Sequence, residues 1–233
     1  MNRKPLDRWM EWLAAVGPIA FLTIATVEGG LRGEYSAIAE PISALALGPR
    51  GWIQRLDFAL LAVSFVSLAL VLRKQLRPGV ASASAPAVFL LMALGVAGAG
   101  LFTMDPPGAP PTLAGRLHEL SGFLVFPWIP VVTLLAARRF RRDPVWRSYF
   151  GYTLATGLFI LATLAFFLTF VGVPSSPPRA FSEFRGVVQR VMLVAFFAWT
   201  ATVAHRLHRR AQADRRERVS DPAAGSIERA IRS

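Results

Sequence analysis

There is no cysteine among the 233 residues. That excludes disulfides, thiolate metal sites and thiol nucleophiles. Asparagine occurs once, at Asn2, so no N-glycosylation acceptor exists. Lysine is nearly absent, and Lys4 and Lys74 stand against 24 arginines. Charge as a whole is scarce, at 17% of residues, where a soluble domain carries about 25%. Negative charge is scarcer still: 14 Asp+Glu face 26 Lys+Arg, a net of +12. What remains is apolar, 54% hydrophobic with a mean hydropathy of +0.45. These values exclude a disordered chain and a disulfide-stapled secreted domain, and they fit few soluble enzymes. They are those of a small integral membrane protein.

A helix needs about 20 mostly apolar residues to cross roughly 30 Å of hydrocarbon. Six uncharged runs qualify or nearly do: Trp12 to Val27, Phe58 to Leu72, Val80 to Met104, Leu120 to Ala137, Ser148 to Val173, and Val191 to Ala204. They predict an all-α membrane protein, a six-transmembrane-helix bundle with spans near 10–28, 52–73, 80–103, 117–138, 148–172 and 186–205. The six-helix domain would occupy residues 1–208. A basic cytoplasmic tail over 209–233 would follow, helical through Val219 and disordered beyond Ser220.

Arginine sets the orientation. With both termini on one side, that side collects 19 of the 26 Lys+Arg, while the acidic residues divide equally. The excess alternates loop by loop, as the positive-inside rule requires of cytoplasmic loops. Both termini are therefore expected in the cytoplasm of a bacterial inner membrane. A cleaved signal peptide over the first 27 residues is the rival reading. Trp9 and Trp12 fit interface anchors better, and no clear Ala-x-Ala site follows them. Nucleic acid is not expected as a partner, because the arginines flank spans. Membrane lipids are. The sequence leaves the oligomeric state open.

Two outer loops carry signals. Tyr35 to Pro49 is too apolar for a solvated loop. Pro41 fits the start of a short helix and Gly48-Pro49 its stop, which predicts a lid over the bundle. Met104 to Pro111 carries four prolines and is expected to be extended. Pro127 and Pro130 should kink span four. Gly95, Gly98 and Gly100 in span three, and Gly151, Ala155 and Gly157 in span five, predict close helix approach.

Some charges lie deep. Asp57 precedes Arg73 by 16 residues, about 24 Å of helix. It should therefore lie about 6 Å below the outer edge of a 30 Å core. Arg190 precedes His205 by 15 residues, about 22 Å, and is equally submerged. Lone charges there cost a few kcal/mol, so an Asp57–Arg190 ion pair is predicted. Gln54, Arg55, His118, Glu119, Ser121 and Gln189 would complete an outward-facing polar ring if spans two, four and six converge. Such a ring fits a pocket for a lipid or small amphiphile; it equally fits an inter-helix clamp with no ligand.

Catalysis by this ring is the alternative. His118 with Glu119 or Asp57, or a Ser121–His118 pair, would serve a lipid-modifying hydrolase or transferase. Neighbouring side chains on a helix diverge by about 100°, so His118 and Glu119 converge poorly on a metal. No metal or other cofactor is expected, and His205 and His208 read as a solvated face among arginines. A small transporter is the third reading. It lacks a sequence repeat between the halves and a polar path through the inner half. A non-enzymatic binding or sensing role leads.

Several of these segments also resemble a known family. Tyr35-Ser36 through Glu40-Pro41-Ile42-Ser43-Ala44-Leu45, Gly51-Trp52-Ile53-Gln54, Leu117-His118-Glu119-Leu120-Ser121-Gly122 and Gly186-Val187-Val188-Gln189-Arg190 are similar to the bacterial membrane family catalogued as domain of unknown function 998. The likeness covers most of residues 10–208. It implies a six-helix integral membrane protein and carries no activity, substrate or catalytic residue with it.

Overall fold

The structure, a computed structural model, describes residues 5–75, 80–173, 177 and 179–220. Among these there are seven α-helices and no strand: α1 Pro5–Gly30, α2 Gly51–Gln75, α3 Val80–Leu101, α4 Leu113–Phe123, α5 Trp128–Arg142, α6 Phe150–Phe166 and α7 Arg185–Ser220. Six stretches are long and apolar enough to cross a membrane: Trp9–Gly30, Gly51–Lys74, Ser84–Leu101, Leu113–Arg142, Arg147–Val171 and Ser182–Arg210. The six-span, all-helical architecture is therefore present. Residues 221–233, where the disordered tail was expected, lie outside the described residues.

Helices α4 and α5 together make one span, and proline divides them. Pro127 has no N–H to continue the α4 ladder. The chain turns there through tighter bonds, Val125 N–H to Gly122 O at 3.0 Å and Trp128 N–H to Val125 O at 3.1 Å. The bundle closes as a ring in chain order. Helix α1 packs on α2, α2 on α3, α3 on α4 and α5, α5 on α6, α6 on α7, and α7 back on α1. Spans two, four and six therefore alternate around the ring and share its interior.

Small residues set the spacing. A Cβ on Gly95 or Gly98 would meet α4 at Ser121, and one on Gly100 would meet the α2 backbone at Arg55. Gly157 faces Leu134 of α5 in the same way. Gly151, expected in that role, meets nothing, and Ala155 is exposed. Both lie on the outward face of α6, where no helix follows.

The interior is aromatic. Phe65 of α2 lies edge-on to Phe89 of α3 at 5.7 Å and to Phe196 and Phe197 of α7 at 6.1 and 6.3 Å. Phe21 of α1 joins at 6.0 Å from Phe197. Such tilted pairs add to the hydrophobic gain of burial. The outward faces are also apolar, with Leu158, Phe159 and Leu161 of α6 all exposed. In water this would be an aggregation surface; in a bilayer it is the surface that lipids contact.

The two ends of the bundle differ. One carries the basic clusters Arg73, Lys74 and Arg138 to Arg142. There His208 Nδ1 lies 2.9 Å from Glu11 Oε2, so His208 holds α7 to α1 rather than facing water freely. The other end is capped by residues 31–50. Thr112 starts α4 at the capped end. Its hydroxyl accepts from Gly115 N–H at 3.1 Å and donates to Asp105 at 2.6 Å, and its own N–H also donates to that carboxylate. These two bonds hold the Asp105 carboxyl below its ordinary range.

Candidate functional site

The cap is a short 3-10 turn, Ile42–Ala46, begun by Pro41. Ile42 is 2% exposed and Leu45 0%. The lid expected from the apolar loop is thus turned inward, with its branched side chains in the bundle mouth. Gly48 ends it at φ +76°, a left-handed conformation that costs a glycine nothing.

Arg190 holds this cap. Its Nη1 donates to Ala37 O at 2.8 Å, Glu40 O at 3.1 Å and Gly186 O at 3.1 Å. Its Nη2 donates to the Tyr35 hydroxyl, and the guanidinium lies over the Tyr35 ring at 5.5 Å. Burial pushes the Tyr35 phenol above its ordinary pKa. Beside Arg190, Gln189 Oε1 accepts from Ile42 N–H at 2.9 Å, and Val187 N–H donates to Ile38 O at 3.0 Å. The first turns of α7 are therefore stitched to the cap backbone.

This overturns the Asp57–Arg190 pair. Asp57 is 2% exposed, and among the described residues its one hydrogen bond comes from Gln54 Nε2 at 3.3 Å. Asp57 Oδ1 and Gln54 Oε1 are buried with no partner among the described residues. The physical reason lies in the cap carbonyls. A turn packed into a water-poor bundle has backbone acceptors with no ladder to join. A guanidinium, with five donors in a fixed fork, satisfies several at once.

The same rule places the other ring members. Arg55 Nε donates to Gly100 O at 2.9 Å and is otherwise exposed. His118 Nδ1 bonds Phe102 O at 2.8 Å. Both serve the unpaired carbonyls where α3 ends. Ser121 Oγ donates to Leu117 O at 2.7 Å, one turn back on its own helix, so no Ser121–His118 hydrogen bond forms. Glu119 is exposed and points away from the ring interior. Among the described residues no three His, Cys, Asp or Glu side chains converge to hold a metal.

Beneath the cap lies a partly open cavity of about 70 Å³. Its wall takes residues from α1, α2, α3, α4, α5, α7 and the cap, among them Phe21, Phe58, Val96, Phe126 and Phe196. Ser43, His118, Ser121 and Gln189 are its polar members. Of the expected ring, then, His118, Ser121 and Gln189 meet at one cavity. Gln54 and Asp57 pair separately, on the helix that brings Phe58 and Leu61 to that wall. Arg55 and Glu119 lie outside it, and Arg190 works in the cap.

A second polar cluster had no place in the sequence reading. Glu28, 5% exposed, receives Arg50 Nη2 at 2.5 Å and Nε at 3.2 Å, with Arg32 Nη2 at 3.8 Å. Arg32 Nη1 donates to Leu47 O at 2.9 Å. This bond set joins α1 to both ends of the cap. In the sequence Glu28 bounds the uncharged run Trp12 to Val27. The i,i+4 spacing of Glu28 and Arg32 was the available signal.

The half-satisfied Asp57 makes a prediction of definite sign. Asp57→Asn should raise stability by about 1 kcal/mol, since it supplies an N–H where the orphaned acceptors have none. The midpoint of thermal unfolding in detergent measures it. A fall instead would mean that an unseen cation or donor holds the carboxylate.

No curated protein and no solved structure matches the chain. The family model described as "Protein of unknown function (DUF998)" matches residues 15–206, most of the chain and all six spans in whole or in large part, and the chain belongs to that family.

Proposed function

We propose that this protein binds or senses a lipid or small amphiphile in the capped cavity, without catalysing a reaction on it. One observation carries the reading: a cavity of about 70 Å³ under the cap, apolar for most of its wall, with four polar side chains. A structural clamp would close such a space, because interiors pack to crystal density and each void forfeits contacts. The volume has room for about five waters, yet most of its wall gives them no partner. The polar end of an amphiphile with the first part of its apolar chain matches that wall better, the rest of the chain leaving through the open side of the cavity. The inner wall of α4 also supports binding over chemistry, since Ser121 gives its proton to Leu117 O and not to a base.

The orientation belongs to the same proposal. The basic end faces the cytoplasm of a bacterial inner membrane, both termini lie there, and the capped end faces outward. The supporting observation is the arginine asymmetry between loops.

Filling the cavity is the test. Val96 is 4% exposed and lines it. In native mass spectrometry, wild-type protein should carry a lipid-sized adduct that Val96→Phe loses while keeping its unfolding free energy within about 3 kcal/mol of wild type, the usual range for overpacking. An adduct of equal occupancy in both proteins would place the lipid elsewhere and sink the reading.

A further inference from the structure

Resting on that reading, we infer that the cavity selects an uncharged head group bearing a hydroxyl, of the long-chain alcohol or monoacylglycerol class. The wall is the ground for it. His118 Nδ1 lies 2.8 Å from the carbonyl oxygen of Phe102. A carbonyl has no proton to give, so Nδ1 carries the hydrogen. In the neutral ring Nε2 is then a bare lone pair, and it has no partner among the described residues. Gln189 is fixed in the opposite sense. Its Oε1 is taken by Ile42 N–H at 2.9 Å, which leaves the amide N–H groups without a partner among the described residues. Both residues line the cavity.

With the His118 ring neutral, the cavity offers one acceptor and one donor. A hydroxyl can answer either, since its proton goes to an acceptor while its lone pairs take an N–H. An alkane answers neither and would leave two polar groups dry and unpaired. Charged head groups fare worse. The wall contains no Asp, Glu, Lys or Arg, and a charge taken out of water without a counter-charge is strongly disfavoured. Arg190, beside Gln189 on α7, is occupied by Ala37 O, Glu40 O, Gly186 O and Tyr35. Asp57 does not line the wall. Sites that hydrogen-bond a ligand hydroxyl discriminate strongly against analogues without it.

The experiment uses the full chain in phosphatidylcholine nanodiscs and a diazirine-bearing decanol as photoprobe, with the label mapped by mass spectrometry. Label is expected on cavity residues such as Val96 and Phe126. Unlabelled 1-decanol should suppress it by about ten-fold or more, and decanoate, decyltrimethylammonium and decane hardly at all, at equal mole fraction in the bilayer. His118→Phe keeps a ring in place and should level that preference without abolishing label. Suppression by decanoate or decane as strong as by decanol would overturn the head-group inference and leave the cavity reading standing. Absence of label from the cavity residues would overturn both. Should His118→Phe not fold, the wild-type competition series decides alone.

Discussion

Arg190→Met is expected to release the cap at a cost of about 3 kcal/mol. The substitution keeps an unbranched apolar stem and removes every donor. Ala37 O then loses its side-chain donor and Glu40 O keeps only the Tyr35 hydroxyl, at 3.2 Å, with about 1–3 kcal/mol expected for an orphaned acceptor. The stacking on Tyr35 at 5.5 Å goes with them. Arg190→Lys should fall between, because an ammonium keeps the charge but not the planar fork that reaches several acceptors at once. The absence of native cysteine makes the measurement clean. Ser43→Cys places one thiol in the protein, on the underside of the cap. Maleimide labelling of that thiol should quicken by at least about ten-fold in the Arg190→Met background, the rate equivalent of about 1.4 kcal/mol of easier opening. Unchanged labelling and an unchanged unfolding midpoint would show that Gln189 and the buried Ile42 and Leu45 hold the cap without Arg190. The sign relative to Asp57 matters too. An Asp57–Arg190 ion pair would make Asp57→Asn and Arg190→Met destabilising together, whereas the observed bonding makes their effects opposite.

That contrast marks where sequence reading reaches its limit. Span number followed from run length alone, because 20 apolar residues have few other uses. The cap was legible from Pro41, Gly48 and the apolar residues between them, and the break in span four from Pro127. Gly95 and Gly98 announced a close helix contact, and α4 supplies it. Burial was legible as well: Asp57 is buried and Arg190 half-buried. Partnership was not. Charge arithmetic sees side chains only and matches plus to minus. At the capped end the unsatisfied groups are mostly backbone carbonyls at turns and helix ends. Arg55, His118 and Arg190 go to Gly100 O, Phe102 O and the cap carbonyls in turn. Those acceptors belong to every residue type alike, so composition cannot reveal which ones lack a ladder. Glu28 escaped for a related reason. A carboxylate at the end of an apolar run reads as the water boundary, yet here the cap folds over it and Arg50 enters from 22 residues away.

The close approach of α1 to α2 carries the second large effect. A Cβ at Gly17 would lie 1.7 Å from Ser64 Oγ and 2.6 Å from Ser64 Cβ. Rotating the hydroxyl away cannot help, because Cβ itself is inside contact distance and is fixed by the α2 backbone. Gly17→Ala must therefore part the two helices, and about 2–3 kcal/mol is the expected loss for overpacking of this kind. Few other contacts can absorb it, since only about a third of the apolar stretch of α1 is buried. Without a hydrophobic drive between helices in a bilayer, such van der Waals contact is a main source of association. Ser64→Gly should cost about 1 kcal/mol alone, from the helix penalty of glycine. Combined with Gly17→Ala it restores a small-against-large contact with the partners exchanged. The double variant should recover most of the loss, a coupling of about 2 kcal/mol in a double-mutant cycle. Gly30→Ala is the control, as nothing lies within 4 Å of its Cβ position, and its midpoint should stay near wild type. Strict additivity of Gly17→Ala and Ser64→Gly would mean that α1 relaxes along the bilayer without strain, and that α2 does not fix its register.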